Sequence, residues 1–270
     1  MKTAGFLCYF RGTMAIKNTK QDVMRDGGKL FVPSLSLDCV IFGFHENQLK
    51  VLLLKMKNAD QWALPGGFIY NEEDIEAAAS RVLKQRTGID DIFLQQFHVF
   101  GDPARSDKKF HLNMMKKDGI KADKDHWILQ RFITVGYYAL VDFAFAIPVP
   151  DHSSVACEWW DLHDIKELFM DHKHILDKAL ETLRLQLNHQ PIGYNLLSQK
   201  FTMPELQKLY ETILDKQLDR RNFQRRMTGY GTLKRLKETR KGGAHKAPYL
   251  YSFDLRKYKK ALEEGLQGGW

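Results

Sequence analysis

Residues 67–89 read G-F-I-Y-N-E-E-D-I-E-A-A-A-S-R-V-L-K-Q-R-T-G-I, and this stretch restricts the fold more than any other. Ile75, Ala78, Ala79, Val82 and Leu83 fall at i, i+3, i+4, i+7 and i+8, the apolar stripe of an amphipathic helix. Asn71 is its expected N-cap, and Arg86-Thr87-Gly88 its expected end, with the glycine at C′. The preceding Trp62-Ala63-Leu64-Pro65-Gly66-Gly67-Phe68 puts two glycines where the backbone must turn sharply. Upstream, residues 35–44 (L-S-L-D-C-V-I-F-G-F) and the segment L-K-V-L-L-L-K-M-K flank the turn E-N-Q and read as a β-hairpin. Further strands are expected at 92–100, 131–142 and 157–162, with Trp159 and Trp160 facing opposite sides of the last one. A helix is expected over 164–187, with Ile165, Leu168, Phe169, Ile175, Leu176, Ala179, Leu180 and Leu183 along one side.

Composition sets outer limits. A hydrophobic content of 44% indicates a packed core, and no apolar run is long enough to span a bilayer, so no membrane partner is expected. Cys8, Cys39 and Cys157 are scattered, which suits a reducing cytoplasm and argues against a disulfide framework. Residues 1–32 show no clear period and read as an N-terminal arm, with Met14 and Met24 as alternative starts. Residues 105–130 are polar, lysine-rich and aperiodic, and read as a loop insertion.

The stretch from Gly67 resembles the Nudix box, G-x5-E-x7-R-E-U-x-E-E-x-G-U. Gly67, Glu73, Arg81, Leu83, Gly88 and Ile89 keep its frame. The resemblance implies an α+β fold, a Nudix-type α/β/α sandwich with a mixed sheet. It also implies an ancestry in hydrolysis of nucleoside diphosphates linked to another moiety. Where the family places three metal-holding carboxylates, this chain has Val82, Gln85 and Arg86. Mg²⁺ and Mn²⁺ want several hard oxygen ligands. On a helix these three positions share one patch. Val82 has no donor, Gln85 is a weak neutral ligand, and Arg86 repels a cation. Glu72 and Glu73 remain, and acids at a helix start commonly complement its dipole. The expectation is a pocket without metal-dependent hydrolysis: no catalytic residue, metal ligand or cofactor is assigned. The ten histidines show no metal-ligand spacing, and His163, His172 and His174 read as surface composition around a helix.

Charge divides the chain. Residues 195–270 carry 17 Lys and Arg against 8 Asp and Glu, whereas the rest carries 24 against 25. A basic module on a neutral body is the pattern of a polyanion-binding domain. Pro191-Ile192-Gly193-Tyr194 marks the boundary, so an arm (1–32) and a Nudix-like domain (33–190) precede a small winged helix-turn-helix domain (191–270). Phe201-Thr202-Met203-Pro204-Glu205 is a capping box opening a helix that buries Leu206, Leu209, Tyr210, Ile213 and Leu214. Asp219 caps the next helix, with Phe223 and Met227 inward and Arg220, Arg221, Asn222, Gln224, Arg225 and Arg226 outward. A glycine loop bearing Arg240, Lys241, His245 and Lys246 then precedes the strand Y-L-Y-S-F, completing the pattern. Such side chains donate to phosphates and base edges, and glycines let a wing lie close to the backbone. DNA is favoured over RNA because no base-stacking motif is evident.

A Nudix-like domain joined to a basic winged helix, with the segment F-T-M-P-E-L-Q-K-L-Y-E-T-I-L-D-K-Q-L-D-R-R-N-F-Q-R-R-M, resembles the Nudix-related transcriptional regulators. The resemblance implies a cytoplasmic homodimer that grips a double-stranded palindromic operator. Its Nudix domain would sense a small-molecule effector, either an ADP-ribose-like nucleotide or a sugar such as arabinose. Candidate effector-binding residues are Trp62, Phe68, Arg81, Asp102, Arg105, Arg131 and Tyr137. Arg81 has an equal claim as a structural partner of Glu73, since buried charges need partners. Two other readings compete. One is a Nudix hydrolase acting on a nucleoside diphosphate derivative through Glu72, Glu73 and a displaced ligand set. The other is a nucleic-acid-binding scaffold with no effector.

Overall fold

Glu46 and Asn47 adopt left-handed φ values of 49° and 62°, closing a two-residue hairpin between β1 (Phe31–His45) and β2 (Gln48–Met56). That hairpin seeds a seven-stranded sheet in a computed structural model that describes residues 20–57, 59–89, 93–117, 119–121, 125–151, 153–187, 194, 196–240 and 247–264. The sheet adds β3 (Trp62–Ala63), β4 (Gly66–Tyr70), β5 (Phe93–Phe100), β6 (Ile133–Val141) and β7 (Ser154–Asp161). Its order is β3-β2-β1-β6-β5, with β4 also on β1 and β7 also on β2. The β1–β6 pair is parallel and the others are antiparallel, so the sheet is mixed as expected.

Helices cover both faces. Helix α2 (Ile75–Thr87) buries Ala78, Ala79, Val82 and Leu83 against Leu37, Cys39, Ile41, Tyr137 and Ala139. Helix α4 (His172–Gln186) covers the other face, seating Ile175, Leu176, Ala179 and Leu183 on Val40, Phe42 and Tyr138. Trp159 and Trp160 divide between these two layers, as strand alternation demands.

The α4 core continues without a break into a second unit. Here α5 (Met203–Leu214) and α6 (Arg220–Gly229) contribute Leu206, Leu209, Tyr210, Ile213, Phe223 and Met227. A three-stranded sheet completes it, with β10 (Tyr249–Phe253) central between β8 (Phe201–Thr202) and β9 (Leu233–Thr239). Hydrogen bonds join the units: Arg184 Nε donates to the Ile213 carbonyl at 2.7 Å, and Thr212 Oγ1 to the Asn47 carbonyl at 3.0 Å.

Several expectations need correction. The cap of α2 is Asp74, whose carboxylate accepts from Ala77 N at 2.7 Å. Asn71 instead donates its side-chain amide to the Lys29 carbonyl, because the N-terminal segment is ordered against it. Within residues 1–32, the described part forms helix α1 (Lys20–Leu30) and the start of β1, with Met24 O accepting from the indole of Trp127. The 105–130 insertion holds helix α3 (Lys108–Lys117) and a 3-10 turn at Trp127–Leu129, pinned by buried Met115 and Leu129. The helix expected over 164–187 starts only at His172, because Met170 turns left-handed with φ of 49°. A C-terminal helix, α7 (Leu255–Glu264), had no sequence expectation. Residues 191–193, the expected boundary, lie outside the described residues.

Candidate functional site

A cavity of about 220 Å³ opens where Gly66–Phe68, Ser36, Leu37 and Asp38 of β1, and Asp151 and Ser153 meet. Gly66 is required there: a Cβ on it would lie 2.5 Å from Asp38 Oδ1 and 2.8 Å from the Leu37 carbonyl oxygen. Asp38 is a buried carboxylate on β1, and its Oδ2 accepts from Thr134 Oγ1 at 2.9 Å. His172, the first residue of α4, accepts from Leu64 N through Nδ1 at 2.9 Å and turns Nε2 to 3.7 Å from Asp38 Oδ1. Arg105 lies 3.6 Å from Asp38 and donates to Asp171 through Nε at 2.8 Å. Asp171 sits at the N-cap position of α4 yet makes no side-chain cap bond, because its carboxylate is turned to Arg105. Phe68, Phe132 and Phe169 supply aromatic wall, and burial lowers the proton affinity of His111 beside them.

Of the seven effector candidates, Phe68 and Arg105 line this cavity. The other five sit elsewhere for identifiable reasons. Arg81 is committed to Glu73 through two bonds of 3.0 and 2.5 Å, donates to the Phe68 carbonyl at 2.9 Å, and lies over the Tyr70 ring. It clamps the loop ahead of α2 to that helix. Trp62 packs on Trp160, with ring centroids 5.0 Å apart. Asp102 caps Ala104 N, Arg131 donates to the Gly101 carbonyl, and Tyr137 is buried beneath α2 with no partner for its hydroxyl among the described residues. Asp38, His111, Phe169 and His172 were missed. A lone aspartate inside L-S-L-D-C-V-I-F was a readable signal, whereas His172 is not the surface histidine expected.

The box helix does not offer a donor set for a divalent cation. Val82 is buried, with its Cγ2 3.1 Å from where a Cβ on Gly67 would stand. Arg86 is buried and ion-paired to Asp151 at 3.1 Å. Glu73 is occupied by Arg81 and Tyr70 N, and Glu72 is exposed. Among the described residues, no group of three or more His, Cys, Asp or Glu side chains is placed to hold a metal ion. Burial works against ionised Asp151, but Arg86 and the Ser153 and Ser154 hydrogen bonds outweigh it and hold the carboxyl below its ordinary value.

The second surface is α6. Asp219 caps it through Asn222 N at 2.8 Å, and the Thr202–Glu205 capping box opens α5 as expected. Between them, Asp215 adopts a left-handed φ of 54°, and Gln207 and Glu211 bind the backbone of Leu218, fixing the turn. Phe223 and Met227 are buried, which leaves Arg220, Arg221, Asn222, Gln224 and Arg225 exposed on one face. Arg226 departs from the expectation: it is half-buried and donates to the Tyr230 hydroxyl at 2.8 Å. Arg240 is likewise tied down, both Glu205 carboxylate oxygens accepting from it at 2.8 Å. Lys241, His245 and Lys246 lie outside the described residues.

A Nudix-type sandwich with a degenerate box, fused to a winged helix that displays a basic second helix, defines a class of ligand-sensing DNA-binding protein. Comparison with known families agrees: residues 33–180 match the NUDIX domain, and residues 193–253 match the NrtR DNA-binding winged helix domain. An ADPR responsive transcriptional repressor NtrR of Acinetobacter baylyi is 31% identical over 233 residues, covering 84% of each chain. The crystal structure of Shewanella oneidensis NrtR complexed with a 27mer DNA superposes with a TM-score of 0.69 at 26% identity, covering 87% of this chain and 99% of that one. A MutT/nudix family protein from Enterococcus faecalis, with a TM-score of 0.60 and 24% identity over 83% of this chain and 87% of its own, shares the fold. The chain belongs to the family of NrtR-type transcriptional regulators, in which a Nudix domain is joined to a DNA-binding winged helix. No helix among the described residues is long and apolar enough to cross a membrane.

Proposed function

We propose that this protein is a repressor that binds a double-stranded operator through α6 and releases it in response to ADP-ribose or a related nucleotide-sugar that docks at the cavity beside Asp38. The observation that carries this reading is the placement of α4. Its first residue, His172, lines the cavity, while Arg184 near its far end is bonded to the winged helix. Effector choice follows the Acinetobacter relative, which is described as responsive to ADPR. Arg220, Arg221, Asn222, Gln224 and Arg225 contact DNA, and a homodimer in the cytoplasm presents two such helices to a palindrome. The protein does not hydrolyse its effector by a metal-dependent route, because the box positions that would hold the ion are Val82, Gln85 and Arg86.

A gel-shift titration with the DNA upstream of the protein's own gene, with and without ADP-ribose, tests this reading. A shift that ADP-ribose weakens supports it. A shift indifferent to ADP-ribose sinks the effector assignment, and no shift at low salt sinks the regulator. Turnover of ADP-ribose in Mg²⁺ or Mn²⁺ would overturn the claim of inactivity.

A further inference from the structure

Arg86 replaces a carboxylate at a metal-holding position of the box. It is buried, pairs with Asp151 at 3.1 Å, and its Nε is buried with no acceptor among the described residues. Asp151 lines the cavity, so Arg86 lies directly behind part of its wall. Each guanidinium beside the cavity is already opposed by carboxylates: Arg86 by Asp151, and Arg105 by Asp171 and Asp38. Three carboxylates against two guanidiniums give a diphosphate no uncompensated cation to bind. They do give a ligand rich in hydroxyl donors several strong acceptors, since each carboxylate oxygen takes up to two hydrogen bonds. Among the described residues, Asp38 Oδ1 has no polar contact closer than the 3.7 Å one to His172, and it borders the cavity beside Gly66. The aromatic walls suit the C–H face of a sugar ring, and about 220 Å³ holds a pentose but not a whole nucleotide-sugar.

We propose that the cavity takes the hydroxyl-rich sugar end of the effector, held by the Asp38 and Asp151 carboxylates, with Arg86 as the resident counter-charge that takes the place of a divalent cation. The diphosphate and the remainder of the ligand then lie outside the cavity. This inference rests on the effector reading above and adds which end of the ligand is recognised and that no metal is needed.

Calorimetric titration of the full chain with ADP-ribose, ribose 5-phosphate and ADP, in excess EDTA and again in Mg²⁺, tests it. ADP-ribose should bind with the same affinity in both buffers. ADP, which lacks the terminal sugar, should bind at least about tenfold more weakly, the effect of leaving charged acceptors unpaired. Ribose 5-phosphate should compete with ADP-ribose. Asp151→Asn should weaken ADP-ribose by about tenfold to a hundredfold while ligand-free operator binding persists as the check on folding. Asp38→Asn serves in its place if that variant misfolds. ADP binding as tightly as ADP-ribose, or binding abolished by EDTA, overturns this inference and leaves the effector reading intact. Absence of ADP-ribose binding in either buffer overturns both.

Discussion

Arg86→Met isolates what a buried cation contributes to a box that no longer holds metal. The pair with Asp151 is about nine-tenths buried on both sides, at 9% and 11% side-chain exposure, with a separation of 3.1 Å. Removing one member of a buried pair costs about 3–5 kcal/mol, mostly the penalty of the stranded charge. Asp151 Oδ1 keeps its bonds from Ser153 N and Oγ at 2.8 and 2.6 Å, so the expected loss is at the lower end, about 3 kcal/mol. For a domain of this size that lowers Tm by roughly 6–12 °C. Urea unfolding followed by tryptophan fluorescence measures it. The double variant Arg86→Met with Asp151→Leu strands no charge, only the Ser153 donors, and should be clearly more stable than the single variant. The pH dependence has a definite sign. With Arg86 present, the Asp151 carboxyl sits below its ordinary 3.8. The stability it contributes is complete above that value and is lost as pH falls through the folded-state value. The gap between wild type and Arg86→Met should therefore close on acidification. A single-variant loss under about 1 kcal/mol, or a double variant as unstable as the single, refutes the reasoning.

Arg225→Ala removes an exposed guanidinium held toward Asn222 at 3.1 Å, and operator affinity should fall about tenfold to a hundredfold in a fluorescence-anisotropy titration with Tm unchanged. Unaltered affinity would displace α6 as the reading helix. Phe223→Ala empties a fully buried ring stacked edge-on to Tyr210 at 5.4 Å and should cost about 3–5 kcal/mol in the winged helix. Operator binding should vanish with it while ADP-ribose still binds, as read by calorimetry. Gly66→Ala drives a Cβ to 2.5 Å from Asp38 Oδ1 and 2.8 Å from the Leu37 backbone oxygen, and should weaken ADP-ribose far more than operator DNA. Equal binding of ADP-ribose would show that Asp38 does not face the ligand.

The sheet, the box helix and the helix-turn-helix were legible because each is written in local pattern. Runs rich in β-branched and aromatic residues about the E-N-Q turn gave β1 and β2, the 3.6-residue stripe gave α2, and the Thr202–Glu205 and Asp219 caps gave both helix starts of the winged unit. The cavity was not legible to the same degree. Asp38, Arg105 and His172 are 134 positions apart at the extremes and meet only because β1, the insertion and α4 converge at the cavity. The pairing of Arg81 with Glu73 was one of its two expected roles, but a candidate chosen from its place in a strand could not show that Tyr137 would point beneath α2. The cap of α2 failed for a related reason: Asn71 and Asp74 both fit the local rule, and Lys29, far away in sequence, decided between them. Helix α3 was lost because its exposed lysines mask a single buried anchor, Met115.

Effector and operator must act through one element whose position each can bias, since a ligand that binds two states equally shifts neither. Helix α4 meets that requirement physically. At one end, Asp171 forgoes its capping role for Arg105, and His172 accepts from Leu64 N. Twelve to fourteen residues past His172, a span of about 18–21 Å, Arg184 grips the Ile213 carbonyl of α5 and Gln186 meets the Tyr138 hydroxyl. A helix does not compress, so a ligand that moves residues 171–172 delivers a rigid displacement to α5 and through it to α6. Arg184→Ala cuts that connection without touching the cavity or the basic face. ADP-ribose affinity without DNA, and operator affinity without ADP-ribose, should each remain near wild type. The factor by which one ligand weakens the other, typically about 5- to 150-fold in coupled systems, should shrink toward one. An undiminished factor would place the coupling elsewhere, with the Thr212–Asn47 contact the next junction to cut.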